Sequence, residues 1–350
     1  MLCVPYTKRF SKPIRIREMK IAIVGATGVV GSKMIEILEE RNVLASEIIP
    51  VASVKSVGKE VLFRGQKQRV RTIEEAVALR PDYALFSAGA SVSLEWAPIF
   101  AQTGCTVIDN SSAWRMSNDV PLVVPEINMH AVKPFHRIIA NPNCSTIQMV
   151  MALAPLHKRY RIDQIVVSTY QSVSGSGQKG TNQLIQERES RTPTAPAFTH
   201  PIDLNLIPQI DLFLENGYTK EEMKMVFETR KILEDDAIIV IPTAVRVPVL
   251  CGHSESVYVK FHQMPDLEEV VRLMSTFPGL VVAIPPQYHT PLNCVGKDDV
   301  FVGRIRHDLS SQYAINMWIV SDNLRKGAAT NAVQILEQII DLQQSQIALA

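Results

Sequence analysis

One stretch near the beginning of the chain decides the fold of its first half: KIAIVGATGVVG, Lys20–Gly31. The apolar run Lys20–Val24 predicts a short buried strand, and the apolar residues after the turn recur with helical spacing. A strand, a glycine-rich turn and a helix form the setting that a dinucleotide-binding loop requires. Gly25 permits the tight turn, Gly28 lets the backbone approach a pyrophosphate, and Gly31 lets the helix pack closely on the strand. The stretch therefore predicts a Rossmann-type domain that starts near residue 19.

The loop after the second predicted strand, Ile48–Ala52, indicates which nicotinamide cofactor binds. An NAD-specific site would place an acid there, against the ribose 2′-hydroxyl. This loop instead offers the side chains of Ser53, Lys55 and Ser56. Hydroxyl groups and a cation suit a 2′-phosphate, so we expect NADP. The alternative is a solvated loop whose lysine has no ligand.

Strand and helix signals continue to alternate through the first third of the chain. Strands are predicted over Tyr83–Phe86 and Cys105–Ile108, with a helix over Ser93–Gln102 between them. This alternation predicts a doubly wound parallel sheet, the α/β class. Ser87 and Gly89 follow the first of these strands, at the sheet edge where ligands bind.

The segment NPNCST, Asn141–Thr146, places a cysteine where a strand gives way to a helix. The apolar run Arg137–Ala140 precedes it, and a helical pattern follows. The unpaired N–H groups of a helix start favour a thiolate, so we expect the pKa of Cys144 to be lowered. The same groups could hold an oxyanion beside the sulfur. The alternative is a buried cysteine that acts as a small hydrophobic residue.

The second half of the chain predicts another kind of sheet. Longer, partly alternating strands replace the short apolar ones, and a last helix reaching about Leu342 is expected to return to the first domain. We therefore predict an α+β domain with a mixed sheet, spanning residues 145–322, and a Rossmann-type domain formed by residues 19–144 and 323–350. The strands of the second domain are predicted at Gln164–Gln171, Ile238–Val247, Val257–Phe261, Val300–Arg306 and Ile315–Val320.

Several charged residues stand in unusual surroundings. Arg246 lies within an apolar run and needs an anionic partner if it is buried. His253 follows a glycine at a strand start, so we expect it to be exposed in a cleft. Glu221 and Lys224 share a helix face, where a solvated pair is the ordinary outcome. Arg115 ends a polar loop and, by itself, would be a surface charge.

The composition excludes several function classes. Lys and Arg number 36 against 35 Asp and Glu, so the net charge of +1 does not attract nucleic acid or an anionic membrane. No apolar run is long enough to span a bilayer. Five scattered cysteines without a C-x-x-C pair fit neither a disulfide framework nor a zinc site, and indicate a reducing compartment such as the cytoplasm. Residues 1–18 are basic, and a disordered extension is favoured there over a transit peptide.

Taken together, the motifs resemble the aspartate-semialdehyde dehydrogenase family along nearly all of residues 19–342. The blocks that carry the resemblance occur in one order and are Gly25–Gly31, Ser111–Met116, Asn141–Thr146, Gln171–Gly177, Glu221–Lys224, Arg246–Pro248, Gly252–Glu255 and Asp322–Ala329. The resemblance implies NADPH-dependent reductive dephosphorylation of 4-phospho-L-aspartate to L-aspartate 4-semialdehyde and phosphate, through a cysteine thioester. It places the protein in lysine, threonine, methionine and diaminopimelate biosynthesis.

The resemblance also implies a role for each matching residue. Cys144 would be the nucleophile, His253 the acid/base, and Gln171 would place the acyl intermediate. Asn143 lies beside the nucleophile in the matching block and is counted with the substrate-binding residues. The other substrate contacts would be Arg115 and Lys224 for phosphate, Arg246 for the α-carboxylate and Glu221 for the amino group. The cofactor contacts would be Thr27, Gly28, Val29, Val30, Lys55, Ser56, Ser174, Gly175 and Asn323. Members of the family often have arginine where this chain has Lys55, which puts a strict preference for NADP in doubt.

Two other functions remain open at this stage. N-acetyl-γ-glutamyl-phosphate reductase shares the glycine loop, but an acetylated amine would give Glu221 no cation to neutralise. A nicotinamide-binding regulator without activity is disfavoured because Cys144, Gln171 and His253 are all present. The family forms homodimers and sometimes tetramers, so we expect a homodimer that binds a small substrate.

Overall fold

A computed structural model of the chain describes residues 19–349, with the side chains described up to residue 344. The basic segment 1–18, and Cys3 within it, lie outside the described residues.

Within the described chain, the first sheet has five parallel strands in the order β2-β1-β5-β6-β7. A hairpin, β3–β4, follows β2 and was not predicted. The strands are β1 (Lys20–Val24), β2 (Glu47–Val51), β3 (Glu60–Phe63), β4 (Gln66–Arg69), β5 (Tyr83–Phe86), β6 (Thr106–Asp109) and β7 (Ile138–Ala140). The helices are α1 (Val29–Glu40), α2 (Ile73–Ala78), α3 (Ala90–Gln102) and α4 (Pro125–Asn128).

Both faces of this sheet are covered by apolar side chains. Met34 of α1 packs on one face together with Val333 and Leu336, which belong to the last helix of the chain, α10 (Thr330–Leu349). Phe100 of α3 packs on the other face, edge-to-face against Phe86 at 5.3 Å between ring centroids. The predicted doubly wound α/β sheet is confirmed, and its strand order reverses at β1, which lies between β2 and β5. Such a reversal is where ligands bind in open parallel sheets.

The second sheet, counted over residues 19–349, has six strands in the order β11-β12-β13-β10-β8-β9. Pairs β8–β9 and β11–β12 are parallel and the others antiparallel, so the predicted mixed sheet is confirmed. The strands are β8 (Ile162–Gln171), β9 (Ile239–Arg246), β10 (His253–Phe261), β11 (Leu280–Val282), β12 (Val300–His307) and β13 (Ala314–Ser321). The helices are α5 (Cys144–Tyr160), α6 (Gly177–Arg188), α7 (Lys220–Leu233), α8 (Leu267–Ser275) and α9 (Pro291–Cys294).

Helix α5 forms the core of this second domain. Its apolar side chains, among them Val150 and Leu153, pack against Val257 and Met317 on one face of the sheet. The helix begins directly after β7 of the first sheet, so its N-terminus lies where the two domains meet. A π-helical turn, Arg325–Ala329, leads from β13 into α10 beside that N-terminus.

None of the helices in the described part of the chain is long and apolar enough to cross a membrane. Residues 19–349 also contain no group of three or more His, Cys, Asp or Glu side chains that could hold a metal ion.

Candidate active site

A cavity of about 270 Å³ lies at the start of α5, between the two sheets. Residues that are far apart in the chain line it together. They include the predicted site residues Val30, Arg115, Asn143, Cys144, Gln171, Ser174, Gly175, Glu221, Lys224, Arg246 and Asn323. The fold therefore brings most of the predicted substrate side and part of the predicted cofactor side to one place.

Cys144 is the first residue of α5, and it is half-buried. Asn143 caps the helix, since its side-chain oxygen accepts from the N–H groups of Ser145 at 2.9 Å and Thr146 at 3.3 Å. Gly327 of the π-helical turn packs against the cysteine so closely that an added Cβ would lie 3.0 Å from the Cβ of Cys144. The thiol is therefore held between the helix start and this turn.

The expectation of a lowered pKa for Cys144 was wrong. Its pKa is raised to about 12, chiefly by burial and next by the carboxylate of Glu221. The guanidinium groups of Arg246 and Arg115 and the N–H of Ser145 lower it, but by less. Desolvation and a neighbouring negative charge therefore outweigh the two arginines and the N–H of Ser145 at the helix start.

Arg115 is buried, and its guanidinium is held on two sides. One terminal nitrogen donates to the carboxylate of Glu228 at 3.0 Å, and the other donates to the carbonyl of Asn110 at 3.0 Å. The predicted surface charge is thus a fixed group of the cavity wall. Glu228, which sequence reasoning missed, lies seven residues after Glu221 on the same helix, and that periodicity could have identified it.

Glu221 connects the two sides of the substrate cavity. One carboxylate oxygen accepts from the side chains of Asn143 at 2.8 Å and Gln171 at 3.3 Å. The other accepts from Lys224 at 3.1 Å, and Lys224 also donates to Asp211 at 3.0 Å. Burial works to raise the pKa of Glu221, but Lys224 and these hydrogen bonds hold it below its usual value. The pair is therefore a charged part of the cavity wall, with Glu221 buried and Lys224 half-buried, and not the solvated pair of an ordinary helix.

Arg246 and His253 meet behind Gly175. Arg246 donates to the carbonyl of Ser172 at 2.6 Å, and no described carboxylate forms an ion pair with it. The expected anionic partner is thus not supplied by the described part of the chain. Burial is the main reason that the pKa of Arg246 is lowered.

The prediction that His253 is exposed was wrong, because its side chain is completely buried. The N–H of Ser172 donates to its Nδ1 at 3.1 Å, so in the neutral ring the proton belongs on Nε2. Nε2 has no partner among the described residues. It faces Gly175, where an added Cβ would lie 3.1 Å from it. Burial and then Arg246 hold the pKa of His253 well below its usual range.

The predicted cofactor residues of the first domain follow the carboxyl ends of its parallel strands β1, β2 and β5. Gly25, with φ +95°, comes so close to Ser87 that a Cβ would lie 2.5 Å from its carbonyl oxygen. A Cβ on Gly31 would lie 2.1 Å from the carbonyl oxygen of Gly25, so α1 can pack this closely on the turn only without a side chain. Thr27 and Gly28 are exposed in the same loop. The loop has the close backbone contacts that a dinucleotide-binding turn requires.

Other predicted residues lie outside the cavity that holds Cys144. The cavity lining includes neither the loop residues Ser53, Lys55 and Ser56 after β2, nor Gly89 at the start of α3. Asn323 lies in the wall of the Cys144 cavity, where its side-chain oxygen accepts from Ser174 at 3.2 Å and from the N–H of Gly252 at 2.9 Å.

The fold and the site define a class: a dinucleotide-binding domain joined to a second domain, with a cysteine at the junction of the two. The family described as "Semialdehyde dehydrogenase, NAD binding domain" matches residues 20–134. The family described as "Semialdehyde dehydrogenase, dimerisation domain" matches residues 153–326.

Relatives with similar sequences identify the family within this class. The aspartate-semialdehyde dehydrogenase of Aquifex aeolicus is 49% identical over 332 residues, covering 92% of this chain and 98% of the relative. That of Shewanella violacea is 47% identical over 332 residues, covering 93% and 98%. The chain belongs to the aspartate-semialdehyde dehydrogenase family.

Solved structures agree with this assignment. Aspartate semialdehyde dehydrogenase II of Vibrio cholerae, complexed with ASA, is 46% identical with a TM-score of 0.90, covering 93% of this chain and 99% of that chain. The Candida albicans enzyme, solved with NADP, is 25% identical with a TM-score of 0.72, covering 91% and 97%.

Proposed function

We propose that the protein catalyses the reductive dephosphorylation of 4-phospho-L-aspartate to L-aspartate 4-semialdehyde and phosphate, with NADPH as reductant. One observation carries the proposal. A cysteine, three cationic side chains and one carboxylate, from both predicted domains, line a single cavity at the start of α5. This set of charges matches a substrate with a carboxylate, an ammonium group and an acyl phosphate. The family membership supports the same reaction.

The charges divide the cavity into three parts. Arg246, which has no described carboxylate partner, would hold the substrate α-carboxylate. Glu221 would accept the ammonium group. Arg115 and Lys224 would hold the phosphate. The guanidinium of Arg115 uses two N–H donors within the chain, which leaves three for the phosphate.

Substrate binding would itself activate the nucleophile. The carboxylate of Glu221 is the second largest cause of the raised pKa of Cys144. An ammonium group on Glu221 offsets that negative charge, which favours the thiolate. The thiolate attacks the acyl carbon, phosphate leaves, and a thioester remains on Cys144.

His253 would serve the second half of the reaction. NADPH, when bound, supplies the hydride that reduces the thioester carbonyl. The Nε2–H of neutral His253 can donate a hydrogen bond to the oxyanion that results, which collapses to the aldehyde as the Cys144 thiolate leaves. Its low pKa keeps the ring neutral near pH 7, so that Nε2 remains a hydrogen-bond donor to the same oxyanion in the reverse direction. Gln171, fixed to Glu221 and Thr169, would place the acyl group.

The turn Gly25–Gly31 and the residues Ser174, Gly175 and Asn323 would hold the cofactor. We infer NADP because Ser53, Lys55 and Ser56 follow β2 with no acid among them, and Lys55 is exposed. The family match is to an NAD binding domain, which supports a nicotinamide cofactor without separating NADP from NAD.

We also infer the remaining organisation from the sequence. Residues 19–144 and 323–350 would form the cofactor domain, and residues 145–322 the catalytic and dimerisation domain. The match to a dimerisation domain supports association of this part, and we propose a homodimer. The scattered free cysteines support a reducing compartment, for which we propose the cytoplasm.

The experiment follows NADPH formation from aspartate semialdehyde, phosphate and NADP, for the wild type and Cys144→Ala. The proposal expects phosphate-dependent reduction of NADP that disappears in the variant. The same assay with NAD measures the cofactor preference. Turnover of N-acetylglutamate semialdehyde in place of aspartate semialdehyde would instead identify the acetylglutamyl reductase and overturn the roles of Glu221 and Arg246. Inactivity with both aldehydes would support a regulatory protein.

A further inference from the structure

Helix α7 presents one continuous polar face to the active site. Glu221, Lys224, Glu228 and Lys231 are spaced by three, four and three residues, so they lie on the same side of the helix. Glu221 and Lys224 line the cavity. Glu228 and Lys231 lie farther along the helix, and neither has a role in the reaction described above.

Glu228 joins two parts of the site that belong to different segments of the chain. Its side chain is 1% exposed. One carboxylate oxygen accepts from the guanidinium of Arg115 at 3.0 Å. The other accepts from the backbone N–H of Asn143, the residue before Cys144, at 2.7 Å. One carboxylate therefore ties the anion-binding arginine to the turn that carries the nucleophile.

We propose that Glu228 is a positioning residue that sets the separation and orientation of Arg115 relative to Cys144; this rests on the proposed function. The two oxygens of a carboxylate are rigidly spaced, so two simultaneous hydrogen bonds fix both partners. A phosphoryl group held by Arg115 must lie next to the acyl carbon that Cys144 attacks. A guanidinium that rotates away would bind phosphate in the wrong place.

The contacts of Lys231 show that the backbone of the loop around Arg115 is held independently of Glu228. Lys231 donates to the carbonyls of Arg115, Ser117 and Val120 at 2.8, 2.8 and 2.9 Å. These bonds hold the backbone of the loop without Glu228. Glu228 acts instead on the guanidinium, whose other edge is held by the carbonyl of Asn110. Its loss should therefore affect the anion site more than the loop.

A structural ion pair is the alternative, and a matched control can distinguish it. Glu222 is also a buried acid of α7, but it accepts from the N–H groups of Thr219 and Ala244 at 2.6 and 2.9 Å and does not line the cavity. Glu222→Gln should reduce stability without changing the anion site. Glu228→Gln keeps the size of the side chain but places an NH₂ group against a donor. Glu228→Asp keeps the charge but is too short to span both partners.

The test measures steady-state kinetics in the direction of aldehyde oxidation, with thermal unfolding of each variant. We expect both Glu228 variants to raise the KM for phosphate about ten- to hundredfold. The KM values for aspartate semialdehyde and NADP should change by less than about twofold. Glu222→Gln should keep the wild-type phosphate KM despite a lower Tm. A phosphate KM within about twofold of wild type in both Glu228 variants, or equal increases in all three KM values, would overturn the proposal.

A second readout does not depend on turnover. Iodoacetamide alkylation is followed at the Cys144 peptide by mass spectrometry, and inorganic phosphate held by Arg115 should slow it in the wild type and in Glu222→Gln. The protection should be lost in Glu228→Gln. If the wild type shows protection but no phosphate-dependent NADPH formation, the proposed function fails while the role of Glu228 stands. Equal protection in Glu228→Gln, or none in the wild type, refutes the role of Glu228.

Discussion

Replacement of Gly175 by alanine would place one methyl group against two buried groups of the site. The added Cβ would lie 2.9 Å from Nη1 of Arg246 and 3.1 Å from Nε2 of His253, whereas ordinary contacts begin at 3.4 Å. Gly175 does not have a left-handed φ, so alanine meets no backbone strain there. Changes in the variant therefore come from these two contacts, or from the proposed cofactor contact of Gly175, which a raised KM for NADP would reveal.

Neither neighbour can move freely. Arg246 is 4% exposed and His253 is fully buried, and both are bound to the backbone of Ser172, at 2.6 and 3.1 Å. The guanidinium must shift by about half an ångström, which is overpacking that typically costs about 1–3 kcal/mol. Alanine also restricts the unfolded chain, which raises the free energy of unfolding by about 0.4–1 kcal/mol, so the net loss of stability should be small. Displacement of this size at reacting groups lowers kcat/KM by about ten- to hundredfold.

The measurement combines kcat/KM for aspartate semialdehyde with urea unfolding of the same preparation. Ser176→Ala is the control, because it changes the next residue of the same turn, a half-buried serine that does not line the cavity. We expect the control to keep most of the activity, and Gly175→Ala to lose it with a stability change below about 2 kcal/mol. Wild-type kcat/KM in Gly175→Ala would refute the packing argument and the assigned roles of Arg246 and His253.

Three further predictions concern charges. Glu221→Gln removes the carboxylate that helps to raise the pKa of Cys144, so iodoacetamide should alkylate the free variant faster at pH 7.5, by about tenfold for each unit that the pKa falls, while kcat/KM falls. An unchanged alkylation rate would contradict this electrostatic account. Lys55→Glu should raise the KM for NADP at least about tenfold more than that for NAD, because it places an acid beside the 2′-phosphate; equal changes in initial-rate assays would disprove the assignment. Burial raises the pKa of Glu255 well above its usual value, so the unfolded chain releases this proton first and stability falls as pH rises above about 4.5. This decline in the free energy of unfolding is up to about 1.4 kcal/mol per pH unit, and Glu255→Gln should lack it. Urea unfolding of both proteins at pH 5 and 8 measures it, and equal changes in wild type and variant would refute the prediction.

Local signals in the sequence determined the elements around the site. The predicted limits of α7, Lys220 to about Leu233, agree with the structure, because the helix starts at a capping box between Thr219 and Glu222. The strand Tyr83–Phe86 is a short, wholly buried apolar run and was predicted with its observed limits. Caps and apolar runs act over a few residues, so they can be read without knowledge of the rest of the chain.

The hairpin Glu60–Arg69 lacks such local signals, and it was not predicted. Strand β4 is polar and mostly exposed, and β3 has only Phe63 buried and Val61 partly buried, so four residues a strand give too short a pattern to identify. They pair with each other through a turn that contains Gly65, and Leu62 is 63% exposed. With so few buried side chains, the residues carry little information about their structure.

The tertiary structure alone decided the electrostatics of the site. The sequence identified Cys144 and His253 as candidates, but it predicted a lowered thiol pKa and an exposed imidazole, and both were wrong. It also missed Glu228, which lies 113 residues from its partner Arg115 in the chain. Burial and Coulomb interactions depend on distances through space between residues that are remote in sequence. The sequence could therefore determine which chemical groups are present and on which elements they lie, whereas their protonation and orientation depend on how the two domains pack around the start of α5.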